Sequence, residues 1–267
     1  MVKAAVSGAC GRMGIRIITN IIPVKGISLT GAFERKGHPL IGKDAGEAAG
    51  IGNLNVPVFS SIEELNGNFD VLIDFSSPEA SAENAAKLAK IGKRAVIGTT
   101  GIKGDALEKI KGASKKIPVV MAPNMSVGVN LLLKVVSDIA HVLGDDFDVE
   151  VLEIHHRLKK DAPSGTALRL AEVLARSLNR NLEEVGIYER KGATGERTVK
   201  EIGLQTLRMG DVVGEHTVYF GGIGERIEIT HKASSRDTFA KGAIRAALWV
   251  SDKPAGLYDM QDVLGLK

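Results

Sequence analysis

The residues best suited to chemistry lie together in one stretch, Glu153-Ile154-His155-His156-Arg157-Leu158-Lys159-Lys160-Asp161-Ala162-Pro163-Ser164-Gly165-Thr166-Ala167. From His155 to Lys160 every side chain except Leu158 is basic or can become so. Like charges repel at this density unless an anion balances them. Asp161-Ala162-Pro163-Ser164 then reads as the start of a helix, where Ser164, Gly165 and Thr166 offer hydroxyl and backbone donors. The combination suits a small acid with more than one carboxylate, and His155 and Lys159 are of the types that deliver a proton near neutral pH. A solvated basic face would carry the same charges, but it would not need the adjoining Ser-Gly-Thr turn. If the strand ending here continues, His155 and His156 point to opposite faces, which is poor geometry for a metal, and none is expected.

A second chemical feature is Gly8-Ala9-Cys10-Gly11-Arg12-Met13-Gly14. It follows an apolar run and opens a helical pattern, the setting in which backbone N–H groups hold a pyrophosphate. Cys10 stands where the usual G-x-G-x-x-G has its middle glycine. A plain strand-to-helix turn would use the same glycines. Cys10 itself reads as a small apolar filler, because no base lies nearby in sequence. Glu34, twenty residues past Gly14, ends the next apolar run, where a carboxylate can accept from both ribose hydroxyls of an adenosine. Arg35 beside it can pair with a 2′-phosphate, so both NADH and NADPH are expected to be usable. Gly98-Thr99-Thr100-Gly101 and Ala122-Pro123-Asn124-Met125 end two further strands, the edge where open α/β sheets bind ligands. Turn chemistry alone would also account for each.

The elements that must position these residues follow from periodicity. Apolar runs at Val2–Ser7, Ile27–Phe33, Val71–Phe75, Arg94–Ile97 and Val119–Met121 predict strands. Helical spacing covers Arg12–Ile22, Pro78–Ile91 and Asp105–Lys116. This alternation predicts a Rossmann-like, doubly wound parallel sheet. After Asn124 the pattern changes to helices at Ser126–Leu143 and Pro163–Leu178, and strands at Asp148–His155, Ile202–Arg208, Glu215–Phe220 and Arg226–His231. That predicts a second α+β domain with a mixed sheet and helices on one face. A final helix is expected over Phe239–Val250, with the Gly256–Leu266 tail returning to the first domain. The expected division is residues 1–126 with 236–267 for dinucleotide binding, and 127–235 for substrate binding and oligomerisation.

Composition excludes several classes. In 267 residues, 35 Lys+Arg against 32 Asp+Glu leave a net charge of +3, too small and too dispersed to imply nucleic-acid or membrane partners. Aromatics at 4% argue against base stacking. The single cysteine excludes an internal disulfide or a multi-thiolate zinc site. No apolar run is expected to reach the roughly 18 residues of a membrane span. The chain enters a strand at once, with no basic-then-apolar leader, so a cytoplasmic location is expected. His141, His216, His231 and Trp249 read as structural, and Arg236 as a residue near a hinge.

The stretch H-H-R-x-K-x-D-A-P-S-G-T-A, carried by His155 to Ala167, resembles the signature of the 4-hydroxy-tetrahydrodipicolinate (dihydrodipicolinate) reductases of the diaminopimelate route to lysine. The likeness runs through Gly8–Gly14, Glu34-Arg35, Gly98–Gly101, Ala122–Asn130, Arg208–Asp211, Gly214–Val218, Gly224–Ile229, Arg236–Trp249 and Gly256–Met260. It implies cofactor phosphates on the backbone of Gly8, Ala9, Cys10, Gly11, Arg12 and Met13, the ribose on Glu34 and the 2′-phosphate of NADPH on Arg35. Gly98, Thr99 and Thr100, with Ala122, Pro123, Asn124 and Met125, would line the nicotinamide end. It further implies His155 as proton donor and acceptor, Lys159 as proton donor, and His156, Lys159, Ser164, Gly165, Thr166 and Thr100 as ligands of a dicarboxylate substrate. Members are typically homotetramers joined through the sheets of their C-terminal domains. Cys10, where many members have Gly or Ala, is the one departure in the loop. A non-catalytic dinucleotide sensor would explain Gly8–Gly14 but leaves residues 155–166 without a task. An acyl-forming aldehyde dehydrogenase would need a cysteine nucleophile, and Cys10 lies in the phosphate loop.

Overall fold

The computed structural model describes residues 1–267, which divide into two compact units, Met1–Val127 with Arg236–Lys267, and Gly128–Ser235. In chain order, the first unit begins β1 (Val2–Ser7), α1 (Arg12–Ile21), β2 (Ile27–Phe33), α2 (Ala45–Ala49), β3 (Val58–Phe59), β4 (Val71–Asp74), α3 (Pro78–Ile91), β5 (Arg94–Ile97), α4 (Gly104–Ser114) and β6 (Pro118–Met121). Then come α5 (Val127–Leu143), β7 (Asp148–His155), α6 (Gly165–Ser177), α7 (Leu182–Val185), β8 (Gly186–Ile187), β9 (Ile202–Arg208), β10 (Gly214–Gly222) and β11 (Glu225–Ala233). The chain finishes with α8 (Asp237–Val250), β12 (Gly256–Tyr258) and α9 (Met260–Leu264).

In the first unit seven strands lie in the order β12-β6-β5-β4-β1-β2-β3, every pair parallel. Alternation along each strand feeds two apolar layers. Ala4, Val6, Ile73, Val96 and Val120 pack with Ile17, Ile18 and Ile21 of α1 and Ala243, Ile244 and Ala247 of α8. Ala5, Leu72, Ala95, Ile97 and Val119 face Ala85 and Leu88 of α3 and Ile110 and Ala113 of α4. A sheet covered on both faces has apolar residues on both, which is why its strands read as unbroken runs. The tail does join this sheet, β12 pairing with β6. Trp249 stacks edge-on against Tyr258, their centroids 5.1 Å apart.

The second unit has the order β11-β10-β7-β9-β8, antiparallel at β11-β10-β7 and parallel at β7-β9-β8. Its core joins Val149, Val151, Leu204, Val218 and Phe220 to Leu132, Val136 and Ala140 of α5 and Leu170, Ala171 and Leu174 of α6. The helices therefore cover one face. Contrary to the expectation that no apolar run is long enough, Val127–Asp146, helix plus a 3₁₀ turn, is long and apolar enough by length and composition to cross a membrane, its few polar residues being spaced around the helix. That stretch carries the Lys134–Asp138 ion pair and the core residues just named.

The structure adds elements between β2 and β4 that periodicity does not reveal. Asp44 caps α2 and its carboxylate accepts from the backbone N–H groups of Gly46, Glu47, Leu54 and Val56. Four donors on one carboxylate hold its pKa down against the opposing effect of burial, and they organise the excursion that leads to β3.

Candidate active site

In the second unit, β7 alternates with Val149, Val151, Glu153 and His155 all on its buried face. Two valines belong there; a glutamate and a histidine need partners. The Nδ1 of His155 is hydrogen-bonded to Oε2 of Glu153. Arg208, in register with His155 on neighbouring β9, grips the same carboxylate with both terminal nitrogens, each at 3.0 Å. The Ser164 N–H donates to Glu153 Oε1 at 3.0 Å and the Thr206 hydroxyl to the same oxygen at 3.2 Å. Burial pushes the Glu153 pKa up, but its bonds to His155, Arg208 and Ser164 outweigh that and leave it at about 2.

The turn after β7 brings Lys159 back by a hydrogen bond from its N–H to the His156 carbonyl, 3.1 Å. Its ammonium rests on Asp161, at 2.9 and 2.8 Å from the two carboxylate oxygens. Lys159 in turn holds the Asp161 pKa below the usual carboxylate range. His156 is half-buried with Nδ1 unpartnered. Helix α6 starts at Gly165 rather than Pro163, after a cis Ala162–Pro163 bond. Ser164 is its N-cap, its hydroxyl accepting from Ala167 N–H at 3.1 Å. The expectation that Ser164 offers a backbone donor therefore changes, because that N–H is engaged by Glu153. Gly165 is exposed and Thr166 half-buried at the helix start.

His216, read as structural from sequence, belongs to this cluster. Its Nε2 lies 3.1 Å from the Ser164 hydroxyl, and its ring meets that of His155 edge-on at 5.2 Å between centroids. Burial, with His155 nearby, lowers its pKa to about 3 although Glu153 pulls the other way. Sequence reasoning gave no catalytic or binding role to Glu153, Arg208, Asp161 or His216, although Glu153 and Asp161 lie inside the stretch it singled out. For Glu153 a signal existed: strand alternation already puts it on the face of Val149 and Val151, and a buried glutamate must be paired.

In the first unit the cofactor candidates line the carboxyl edge of the sheet. Gly8, at φ +65, turns the chain out of β1, and Gly11 caps α1 without a side-chain hydrogen bond or any acid in the first turn. A Cβ on Gly14 would run into the Gly8 carbonyl oxygen, and Ala9 Cα would lie 2.7 Å away. The loop can thus approach α1 only with glycine there, leaving an uncapped helix start fit for a phosphate. Ala9 is buried and its N–H donates to the Phe33 carbonyl. Cys10 N–H donates to Glu34 Oε2 at 3.2 Å, and Arg35 N–H to Glu34 Oε1 at 2.9 Å, which ties the Glu34 carboxylate to the loop. Burial first, then Glu34, raises the Cys10 thiol pKa, so it stays protonated. Arg12 and Arg35 are exposed, and Met13 is half-buried.

Gly98 follows β5, where a Cβ would strike the Phe75 ring. Thr99 is buried with its hydroxyl 2.7 Å from that of Ser81, whereas Thr100 is exposed. After β6, Ala122 and Met125 are buried, Pro123 is exposed and the Asn124 side chain accepts from Ser126 N–H. Beneath them Asp74, 1% exposed, accepts from Ser76 and Asn84, and Asn84 also donates to Ser7. Nothing in the sequence pattern distinguishes this network from ordinary loop polarity.

Two family models describe nearly the whole chain: the N-terminus of dihydrodipicolinate reductase over residues 2–125 and its C-terminus over residues 128–264. The chain belongs to the dihydrodipicolinate reductase family. It is 54% identical to the 4-hydroxy-tetrahydrodipicolinate reductase of Syntrophus aciditrophicus (strain SB) and 55% identical to that of Geotalea daltonii, covering 100% of each chain in both cases. Among solved structures, dipicolinate-bound dihydrodipicolinate reductase from Paenisporosarcina sp. TG-14 matches with a TM-score of 0.76 at 24% identity, over 98% of both chains. An amine dehydrogenase from Mycobacterium smegmatis shares the fold more distantly, with a TM-score of 0.60 at 13% identity, over 96% of this chain and 94% of that one. The chain is accordingly an oxidoreductase, and the family to which it belongs depends on a pyridine nucleotide.

Proposed function

We propose that this protein reduces 4-hydroxy-tetrahydrodipicolinate, by way of dihydrodipicolinate, to tetrahydrodipicolinate in the diaminopimelate route to lysine, using NADPH or NADH. The observation that carries the site assignment is that both candidate proton donors sit on carboxylates of their own: His155 on Glu153, Lys159 on Asp161. A carboxylate partner fixes the orientation of each base before substrate arrives.

Gly8 to Met13 would hold the pyrophosphate, Glu34 the ribose and Arg35 a 2′-phosphate, with Gly98 to Thr100 and Ala122 to Met125 at the nicotinamide end. The glycine-only packing of Gly14 and the uncapped start of α1 fit that group. When bound, the reduced nicotinamide supplies a hydride to ring C4 of the unsaturated dicarboxylate. His155 and Lys159 form the acid pair that protonates C3. His156, Lys159, Ser164, Gly165, Thr166 and Thr100 would hold the two carboxylates. Much of the rate then comes from orientation, since the donors and the anion-binding turn are fixed before substrate arrives. The domain roles follow, residues 1–126 with 236–267 for the dinucleotide and 127–235 for substrate and assembly. A cytoplasmic location and a homotetramer joined through the second unit's sheet complete the proposal; light scattering on the purified protein reads the assembly directly.

The test is loss of reduced-cofactor absorbance with freshly condensed pyruvate and aspartate semialdehyde. His155→Ala and Lys159→Ala should each lower turnover by about 10²-fold or more, a typical general-acid contribution, with cofactor affinity little changed. Near wild-type turnover in both variants would overturn these roles.

A further inference from the structure

Glu153 does more than neutralise a basic cluster. Its carboxylate, 1% exposed, receives donors from four residues on three elements: His155 on its own strand, Arg208 and Thr206 on β9, and the Ser164 N–H at the start of α6. Oε1 takes Ser164, Thr206 and one Arg208 nitrogen; Oε2 takes the other Arg208 nitrogen and His155 Nδ1. A carboxylate filled in this way is ionised and can only accept. Nδ1 of His155 must therefore carry the hydrogen, in the neutral as well as the charged ring.

We propose that Glu153, clamped by Arg208, is a positioning residue that fixes the tautomer of His155 and sets a negative charge against its Nδ1, so that Nε2 is the nitrogen that gives and takes the reaction's proton.

The proposal rests on the reading of His155 as proton donor, and the surroundings of Nε2 support it. Gly214 on β10 borders that nitrogen, and a Cβ there would stand 3.0 Å from it. A bare glycine leaves Nε2 uncovered where any other residue would crowd it. The remaining groups around the ring add no unbalanced positive charge. His216 on β10 stays neutral through burial and so does not repel it. His231 on β11, opposite His216 in the ladder, is likewise shifted toward the neutral form by burial. Lys159 in the adjoining turn is balanced by Asp161, and Arg208 by Glu153 itself. Through Ser164 N–H the same carboxylate sets the start of α6, so proton donor and anion-binding turn share one anchor.

The decisive variant is Glu153→Gln, which keeps the shape but removes the charge and offers His155 an amide. Two readouts apply. The limb of the kcat–pH profile that falls with rising pH should move down by about one unit or more, so that turnover above it drops roughly tenfold or more while KM for NADPH changes little. In ¹⁵N NMR of histidine-labelled protein, neutral His155 should switch from the Nδ1–H to the Nε2–H tautomer. A purely structural role would lower activity without moving either. If Glu153→Gln does not fold, Gly214→Ala leaves the clamp intact and covers Nε2; it should lower kcat with the pH limb and the tautomer unchanged. An unchanged limb and tautomer in folded Glu153→Gln, or wild-type kcat in Gly214→Ala, would overturn the proposal. Full turnover in His155→Ala would instead remove the function assigned to His155, and the tautomer measurement tells that failure apart from failure of the clamp.

Discussion

His216 makes the second unit acid-labile by an amount that can be worked out. The ring is 4% exposed and its pKa is pushed down to about 3, chiefly by burial. In the unfolded chain it titrates near 6.5. A lowered folded pKa means the unfolded state binds the extra proton between these values, so stability is complete above about pH 6.5 and declines as pH falls toward 3. At about 1.36 kcal/mol per pH unit, the loss at pH 5 is about 2 kcal/mol. Glu153 acts in the same direction, but its window runs from its ordinary 4.5 down to about 2, so at pH 5 it adds only ~0.2 kcal/mol. His216 therefore outweighs Glu153 at pH 5, and His231, also shifted down by burial, acts in the same direction. The lone tryptophan, Trp249, lies in the first unit, so its emission does not report on this sheet. Amide hydrogen exchange in β7 and β10, corrected for intrinsic rates, does. Wild-type protein should lose about 2 kcal/mol of protection there between pH 7.5 and 5, and His216→Gln, whatever its starting stability, should lose much less. Equal losses in the two proteins would refute the reasoning, as would a wild-type loss under about 0.5 kcal/mol.

Two further outcomes concern the first unit. Gly14→Ala should weaken NADPH binding at least about tenfold, because the loop must shift to clear the Gly8 carbonyl, while β7 and β10 keep their exchange protection; unchanged affinity in a titration would contradict the loop assignment. Arg35→Ala should weaken NADPH by roughly tenfold and leave NADH nearly untouched, the difference being one exposed ion pair to a phosphate; equal effects on both cofactors would remove Arg35 from the 2′-phosphate.

Much of this protein is written locally. The parallel sheet was legible because strands covered on both faces read as continuous apolar runs, as in Val71, Leu72 and Ile73, all buried ahead of the polar Asp74 that ends the strand. The glycine loop and the basic stretch were legible because their geometry depends on neighbours in the chain: Gly8 to Gly14 make one turn, and Lys159 and Asp161 meet two residues apart. What local pattern missed are partners brought together from far away. Arg208 reaches Glu153 across 55 residues, and His216 reaches Ser164 across 52, each looking like an ordinary polar residue of its own strand. The Asp44 turn escaped for a related reason, since backbone donors leave no mark on side-chain periodicity. Sequence alone determined which residues carry the charge and which strands are buried, because those properties depend on composition and spacing. Only the tertiary structure decided which nitrogen of His155 is held and which carboxylate holds it, because a hydrogen bond depends on proximity across strands and not on order along the chain.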